Sequence, residues 1–295
     1  MAADAPEDPI VELLTTYTEL NSSQIEELEA EPSPLEFMRY VSRNTPVVIR
    51  GGAQDWIATR TWDAAHLRSA LAGHKVNVAV TPFGNADAPT PDSEGNLVFA
   101  KPHEEDQNFG EFIEYLMRQE KTSPFNDEHQ IRGGKNDNLR HEYISLFSQV
   151  QRSIGFARIA LEQEPDAINL WIGNSRSVTA LHRDNYENVY VQIAGRKHFV
   201  LLSPLFQPCV NEQNLDSATY VRGQDEESQK EGGKEGLVLR IDEVADGDED
   251  GAPKVPFATW DPDKPEMRAT PYSHLADPMR VTLEPGDMLY LPAMW

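Results

Sequence analysis

Residues 179–204, TALHRDNYENVYVQIAGRKHFVLLSP, set two metal-ligand side chains directly before two strand-forming runs. His182 and Asp184 are two positions apart, and side chains at i and i+2 of an extended chain project to the same side. Facing a barrel interior, they present an imidazole and a carboxylate to one point; facing water, they are ordinary surface residues. The runs NVYVQIAG and KHFVLLSP alternate as strands do and meet at Gly195, which predicts a β-hairpin. Thr179 lies three positions before His182, so a bend near Ala180 is needed for both to reach one cavity. Asn188 opens the first strand and Lys197 the second. An exposed hairpin lysine is the ordinary case; a lysine turned into the barrel would need an anion beside it.

Outward from this stretch, the first half mixes helical and strand signals. IVELLTTYTEL, SPLEFMRYVSR, TWDAAHLRSALAG and FGEFIEYLMRQE have helical spacing, whereas TPVVIRGG and KVNVAVTPFG read as strands. Residues 85–107 read as polar and turn-rich, and SPFNDEHQIRGGKNDN as loop. LRHEYISLFSQVQ and FARIALEQ are expected to be helical. From Ala167 the character turns to β, with INLWIG and SVTALHRD as further expected strands. Residues 221–254 form an acidic loop with one strand, LVLRI. MRVTLEPGDMLYLPAMW holds two strands around a Pro-Gly-Asp turn, in which Asp287 reads as a hairpin residue. This order suits a β-barrel or sandwich with a helical layer better than βαβ units.

Net charge is −23, from 49 acidic and 26 basic residues. Such a surface repels nucleic acid and is compatible with a basic protein partner. No apolar run reaches the ~20 residues of a bilayer span, and the N-terminus lacks the pattern of a signal peptide. Cys209 is the single cysteine, which excludes an intrachain disulfide and a cysteine-rich zinc site. The expected location is cytoplasmic or nuclear.

The segments INLWIGNSRSVTALHRDNYENVYVQIAGRKHFVLLSP and VTLEPGDMLYLPAMW, together with TPVVIRG and VPFATWDPDKP, resemble the Jumonji-C (cupin-like) family of Fe(II)/2-oxoglutarate oxygenases. The resemblance implies a mainly β domain with N-terminal helices, α+β overall. Its core would be a double-stranded β-helix of jelly-roll form, incomplete at its C-terminal edge. Residues 1–140 would form an N-terminal mixed layer and 141–295 the jelly-roll core, packed as one unit. It implies His182 and Asp184 as two of three ligands in a 2-His-1-carboxylate triad. Lys197 and Thr179 would hold the distal carboxylate of 2-oxoglutarate, and Asn188 would line the same pocket. The implied activity is hydroxylation of a protein side chain, lysine first, with a GTP-binding protein among the implied substrates and a homodimer as the implied assembly.

Two positions depart from the family pattern. The distal histidine ligand is expected about two residues beyond Trp295, which would leave apolar surface around Leu289, Leu291 and Trp295 open. A tyrosine that helps to bind 2-oxoglutarate is replaced by Ile131. These departures keep open a non-catalytic jelly-roll interaction module, while the shared iron chemistry keeps open an N-methyl-lysine demethylase. His198 follows Lys197 and should face outward. His66, His74, His103, His129, His141 and His274 have no evident ligand partner at metal spacing.

Overall fold

Helix boundaries follow local capping chemistry. The computed structural model describes residues 8–121, the backbone of 130–133, and residues 136–223, 236–243 and 253–295. Helix α1, Pro9–Leu20, begins where the Asp8 carboxylate accepts the Ile10 N–H, and strand β1 is Glu26–Leu28. Helix α2, Pro34–Arg43, begins at Ser33, whose hydroxyl accepts the Glu36 N–H; it ends at Asn44, in the left-handed region at φ 48°. Strand β2 (Val47–Ile49), helices α3 (Ile57–Thr61) and α4 (Ala64–Ala70), and strand β3 (Lys75–Thr81) follow. Next come β4 (Ala88–Pro91), β5 (Leu97–Lys101), β6 (His103–Asn108), helix α5 (Phe109–Lys121), β7 (Gln130–Gly133) and helix α6 (Gly155–Leu161). The remaining strands are β8 (Asn188–Val191), β9 (Lys197–Leu201), β10 (Glu212–Arg222), β11 (Leu237–Ile241), β12 (Lys254–Ala258), β13 (Met279–Leu283) and β14 (Met288–Leu291).

The core of the barrel is one bent antiparallel ribbon. β8 pairs with β14, Asn188 opposite Leu291 and Val191 opposite Met288. β9 pairs with β13, Lys197 opposite Leu283 and Leu201 opposite Met279. Between the two ladders the ribbon turns a corner in which residues 192–196 face residues 284–287, five against four. The corner is closed by the Gln192 N–H to the Asp287 carbonyl (2.9 Å) and the Gly286 N–H to the Gln192 carbonyl (2.8 Å). Gly195 (φ 65°) accommodates the extra residue. Gly286 (φ 95°) is needed on the other side, since a Cβ there would lie 3.3 Å from the Gln54 Cα.

The expected hairpin is therefore corrected: 188–191 and 197–201 are strands, but each pairs with a partner near the C-terminal end of the sequence. Asp287 is corrected as well. It is 5% exposed and accepts the Gly51 N–H (2.9 Å), the Glu284 N–H (3.0 Å) and an Arg50 Nη1–H (2.6 Å). Arg50 in turn forks onto Glu27, so the corner is tied to β1 and β2. Burial works against ionisation of Asp287, but the two amides and the guanidinium outweigh it and hold the carboxyl below its usual range.

Alternation sorts the ribbon into two faces. Tyr190, Phe199, Leu201, Met279, Val281, Leu283, Leu289 and Leu291 meet Val48 and Trp295 in the barrel interior. Val189, Val191, Met288 and Tyr290 face the helical layer, where Phe37 of α2 and Phe156 of α6 pack edge-on. Phe37 is fully buried and contacts the Tyr290 ring at 4.7 Å; burying such a side chain contributes about 2–3 kcal/mol. The sheets also cross residue 140: β2 pairs with β14, and β5 runs parallel to β10.

Other expectations need amendment. Leu289 (0% exposed) and Trp295 (8%) are buried rather than open, because β14 lies between β2 and β8 and Trp295 packs on Val48. Residues 85–107 hold β4, β5 and most of β6 rather than turns alone; prolines hide β4 and polar residues hide β6, while β5 is an ordinary apolar strand. INLWIG and SVTALHRD form no β-ladder. The first is held instead by Asn138, whose amide donates to the Leu170 carbonyl (3.1 Å) and whose oxygen accepts the Leu170 N–H (2.7 Å). LRHEYISLFSQVQ is a set of turns ending in a 3₁₀ helix, Ile144–Gln149.

Candidate functional site

The loop between Ala180 and Asn188 carries the two candidate metal ligands, and its side chains alternate although it belongs to no sheet. Leu181 packs into the cluster of Leu202, Phe206 and Trp260. Arg183 pairs with Glu212 of β10 at 2.8 Å. Those contacts take one side; His182 and Asp184 take the other, with Nε2 and Oδ2 3.8 Å apart. Both ligand side chains are exposed. The loop is held further by the Met294 N–H, which donates to the Asp184 carbonyl at 2.7 Å, and by the Tyr290 hydroxyl, which donates to Glu187 at 2.5 Å. Burial and the adjacent Glu187 carboxylate push the Tyr290 hydroxyl pKa well above its usual range, so it stays a donor.

The His182 ring is oriented by the backbone of its own loop. Its Nδ1 sits 2.8 Å from the Ala180 carbonyl. That contact suits Nδ1–H donation, which leaves the Nε2 lone pair for a cation. Asp184 offers its carboxylate across 3.8 Å, a gap that two metal–ligand bonds of ~2 Å can bridge. The donor set, one imidazole and one carboxylate, is of the kind that fits divalent iron. Among the described residues no group of three His, Cys, Asp or Glu side chains stands at metal-binding distance.

Other histidines behave differently. His103 is 3.4 Å from Glu105, but that carboxylate is bridged by Arg222 and Gln107. The expectation that His103 has no ligand-type partner at metal spacing is therefore corrected: Glu105 follows it at the same spacing as Asp184 follows His182. His198 is exposed and bonds Thr282 at 2.8 Å, facing outward as expected.

Lys197 is half-buried on the interior face with Phe199, its amine 5.9 Å from that ring's centroid. Phe199 meets Tyr190 edge-on at 5.0 Å, and Asn188 shares the face of Tyr190 by alternation. Asn188 is itself exposed and stands opposite Leu291, at the end of the β8–β14 ladder. Thr179 is half-buried, one residue after Val178, whose N–H donates to the Gly84 carbonyl (3.1 Å). His182 and Asp184 are in direct contact with each other. Ile131 has its backbone in β7, paired with Val80, while its side chain lies outside the described residues. The loop anchors Arg183–Glu212 and Tyr290–Glu187 were missed in the sequence. One signal for them was available: if His182 and Asp184 face one way, Leu181 and Arg183 must face the other.

A bent double-stranded ribbon entered through a His-x-Asp loop is the arrangement of a cupin-like protein. The sequence matches the cupin-like domain family over residues 32–295, and the chain belongs to that family, in its Jumonji-C branch. It is 32% identical over 270 residues to the human bifunctional peptidase and (3S)-lysyl hydroxylase JMJD7, covering 91% of this chain and 77% of the relative. It is 33% identical over 282 residues to JmjC domain-containing protein E of Dictyostelium discoideum. The same identity and length hold for the lysine-specific demethylase JMJ32 of Arabidopsis thaliana; each alignment covers 92% of this chain and 76% of the relative. At the level of the family, the scaffold is that of a 2-oxoglutarate-type oxygenase.

Proposed function

We propose that this chain is an Fe(II)/2-oxoglutarate-dependent protein hydroxylase acting on a lysine side chain. The observation that carries the reading is the His182–Asp184 pair, with Nε2 and Oδ2 3.8 Å apart and Nδ1 committed to the Ala180 carbonyl. The relatives named for lysine chemistry, one a hydroxylase and one a demethylase, support the substrate side chain. Iron with 2-oxoglutarate and dioxygen would supply the oxidising power that replaces a C–H hydrogen by hydroxyl, 2-oxoglutarate leaving as succinate and carbon dioxide. His182 and Asp184 would hold the metal. Lys197, half-buried beside Phe199, would meet the distal carboxylate of 2-oxoglutarate, with Thr179 donating to it and Asn188 lining the entrance. The apolar interior would keep water away from the reacting centre. The net charge of −23 favours a basic protein substrate.

The reading needs a third ligand, and the family pattern puts it about two residues past Trp295. The test is succinate release with Fe(II), ascorbate and 2-oxoglutarate, on this chain and on one extended by the family's aromatic-histidine segment. His182→Ala should abolish turnover of the extended protein. Lys197→Ala should mainly raise the 2-oxoglutarate concentration required. Turnover indifferent to His182→Ala would sink the proposal. A second reading, a non-catalytic interaction module, is favoured by Ile131, which stands where the family pattern has a tyrosine that helps to bind 2-oxoglutarate. It predicts no succinate from either protein.

A further inference from the structure

The end of α2 and the turn after β14 are locked to each other by three hydrogen bonds around one residue. The Asn44 side-chain amide donates to the Ala293 carbonyl at 3.1 Å. The Trp295 indole N–H donates to both the Asn44 backbone carbonyl (2.8 Å) and its side-chain oxygen (2.6 Å). Met294, between those two partners, sits at φ 74°, a conformation rare for a residue with a β-carbon. In that conformation its N–H points at the Asp184 carbonyl, 2.7 Å away. Released from Asn44, the turn has reason to relax, because a non-glycine residue stays in this region only while its surroundings hold it there.

We infer that Asn44 is a remote positioning residue for the metal-ligand loop: through the Pro292–Trp295 turn it holds the backbone of Asp184, and so the carboxylate beside His182. The inference rests on the metal reading of that pair. Asn44 is exposed, so replacing it opens no cavity in the core. Its own left-handed conformation (φ 48°) is one that glycine adopts freely, so Asn44→Gly removes the side-chain bonds without breaking the helix end.

The test compares Asn44→Gly and Asn44→Asp with Ser33→Ala, which removes the cap at the other end of the same helix. Three quantities are read on the full chain: melting temperature, hydrogen exchange of the Met294 amide, and the dissociation constant for Co(II) by calorimetry. Ser33→Ala should lower the melting temperature and leave the other two unchanged. Asn44→Gly should speed Met294 exchange at least about tenfold and weaken Co(II) binding by about 10-fold, the lower end of the effect of losing support behind a metal ligand. Asn44→Asp keeps the acceptor for the indole and loses the donor to Ala293, so it should fall between. Met294 exchange in Asn44→Gly equal to that in Ser33→Ala would overturn the inference, as would unchanged Co(II) affinity in a wild-type background where His182→Ala abolishes it. If His182→Ala leaves Co(II) affinity untouched, the metal reading fails by itself. Faster Met294 exchange then supports the clamp as a holder of the Asp184 backbone, and unchanged exchange refutes it.

Discussion

Asp287→Asn should destabilise the fold by about 2–4 kcal/mol. The carboxylate is almost fully buried and accepts from two backbone amides and one guanidinium. An asparagine in the same rotamer turns an NH₂ group toward donors, which leaves at least one buried N–H unpaired at ~1–3 kcal/mol. Loss of the charge-assisted bond from Arg50 adds about 1 kcal/mol, kept small because Arg50 is partly solvated and retains Glu27. With an unfolding entropy of roughly 0.6 kcal/mol/K for a chain of this size, the melting temperature should fall by about 3–7 °C. The loss should depend on pH. The folded-state pKa of Asp287 lies below its ordinary value of 3.8, so its contribution is fully present above that value and disappears as pH falls through the folded-state pKa. Melting curves of the wild type and Asp287→Asn at pH 7 should differ by the full amount, and the gap should narrow below pH ~4. A gap under 1 °C at pH 7, or one that persists undiminished to pH 3, would refute this account of the corner.

Leu289→Ala, at a fully buried site on the interior face, should cost ~2–5 kcal/mol by chemical denaturation; a cost below 1 kcal/mol would mean that the site collapses or is not central. Tyr290→Phe removes the hydroxyl that holds Glu187 and should weaken Co(II) binding several-fold with the helical layer intact, as judged by circular dichroism. Burial pushes the Cys209 thiol up to about 11, so alkylation at pH 8 should be slow in the native protein and fast in denaturant; rapid native labelling would contradict its placement.

Faces and ends were legible in the sequence; partners were not. Ser33-Pro34 and Asn44 bracket α2 by local chemistry alone, and alternation put His182 with Asp184 and turned His198 away from the interior. Gly195 between two apolar runs gives the same local signal whether the chain doubles back on itself or crosses from one sheet to another. Only the distant 279–291 segment distinguishes these cases. Asp287 looked like a turn residue because its partners, Arg50 and Gly51, come from the other end of the chain. β4 (APTP) and β6 (HEEDQN) were obscured by prolines, charges and amides, whereas β5 (LVFAK) has the residues of a buried strand and was masked only by the turn-rich sequence around it. The extended segment at 168–170 was read as a strand because it has a strand's residues. Its hydrogen bonds nevertheless go to the side chain of Asn138 and to Leu139, a distinction that periodicity does not carry.

The five-against-four corner carries one residue more than alternation requires. Val191 faces the helical layer and Lys197 the interior; on the partner strand the same change of face, from Leu283 to Met288, takes four residues. The fifth residue at 192–196 is taken up as a bulge at Gly195, so it sets the bend of the ribbon and not the face of Lys197, Phe199 and Leu201. Removing one residue there would leave the lysine proposed to meet 2-oxoglutarate pointing inward and straighten the ribbon. Sliding β9 by one position along β13 would instead bring His198 and Val200 in.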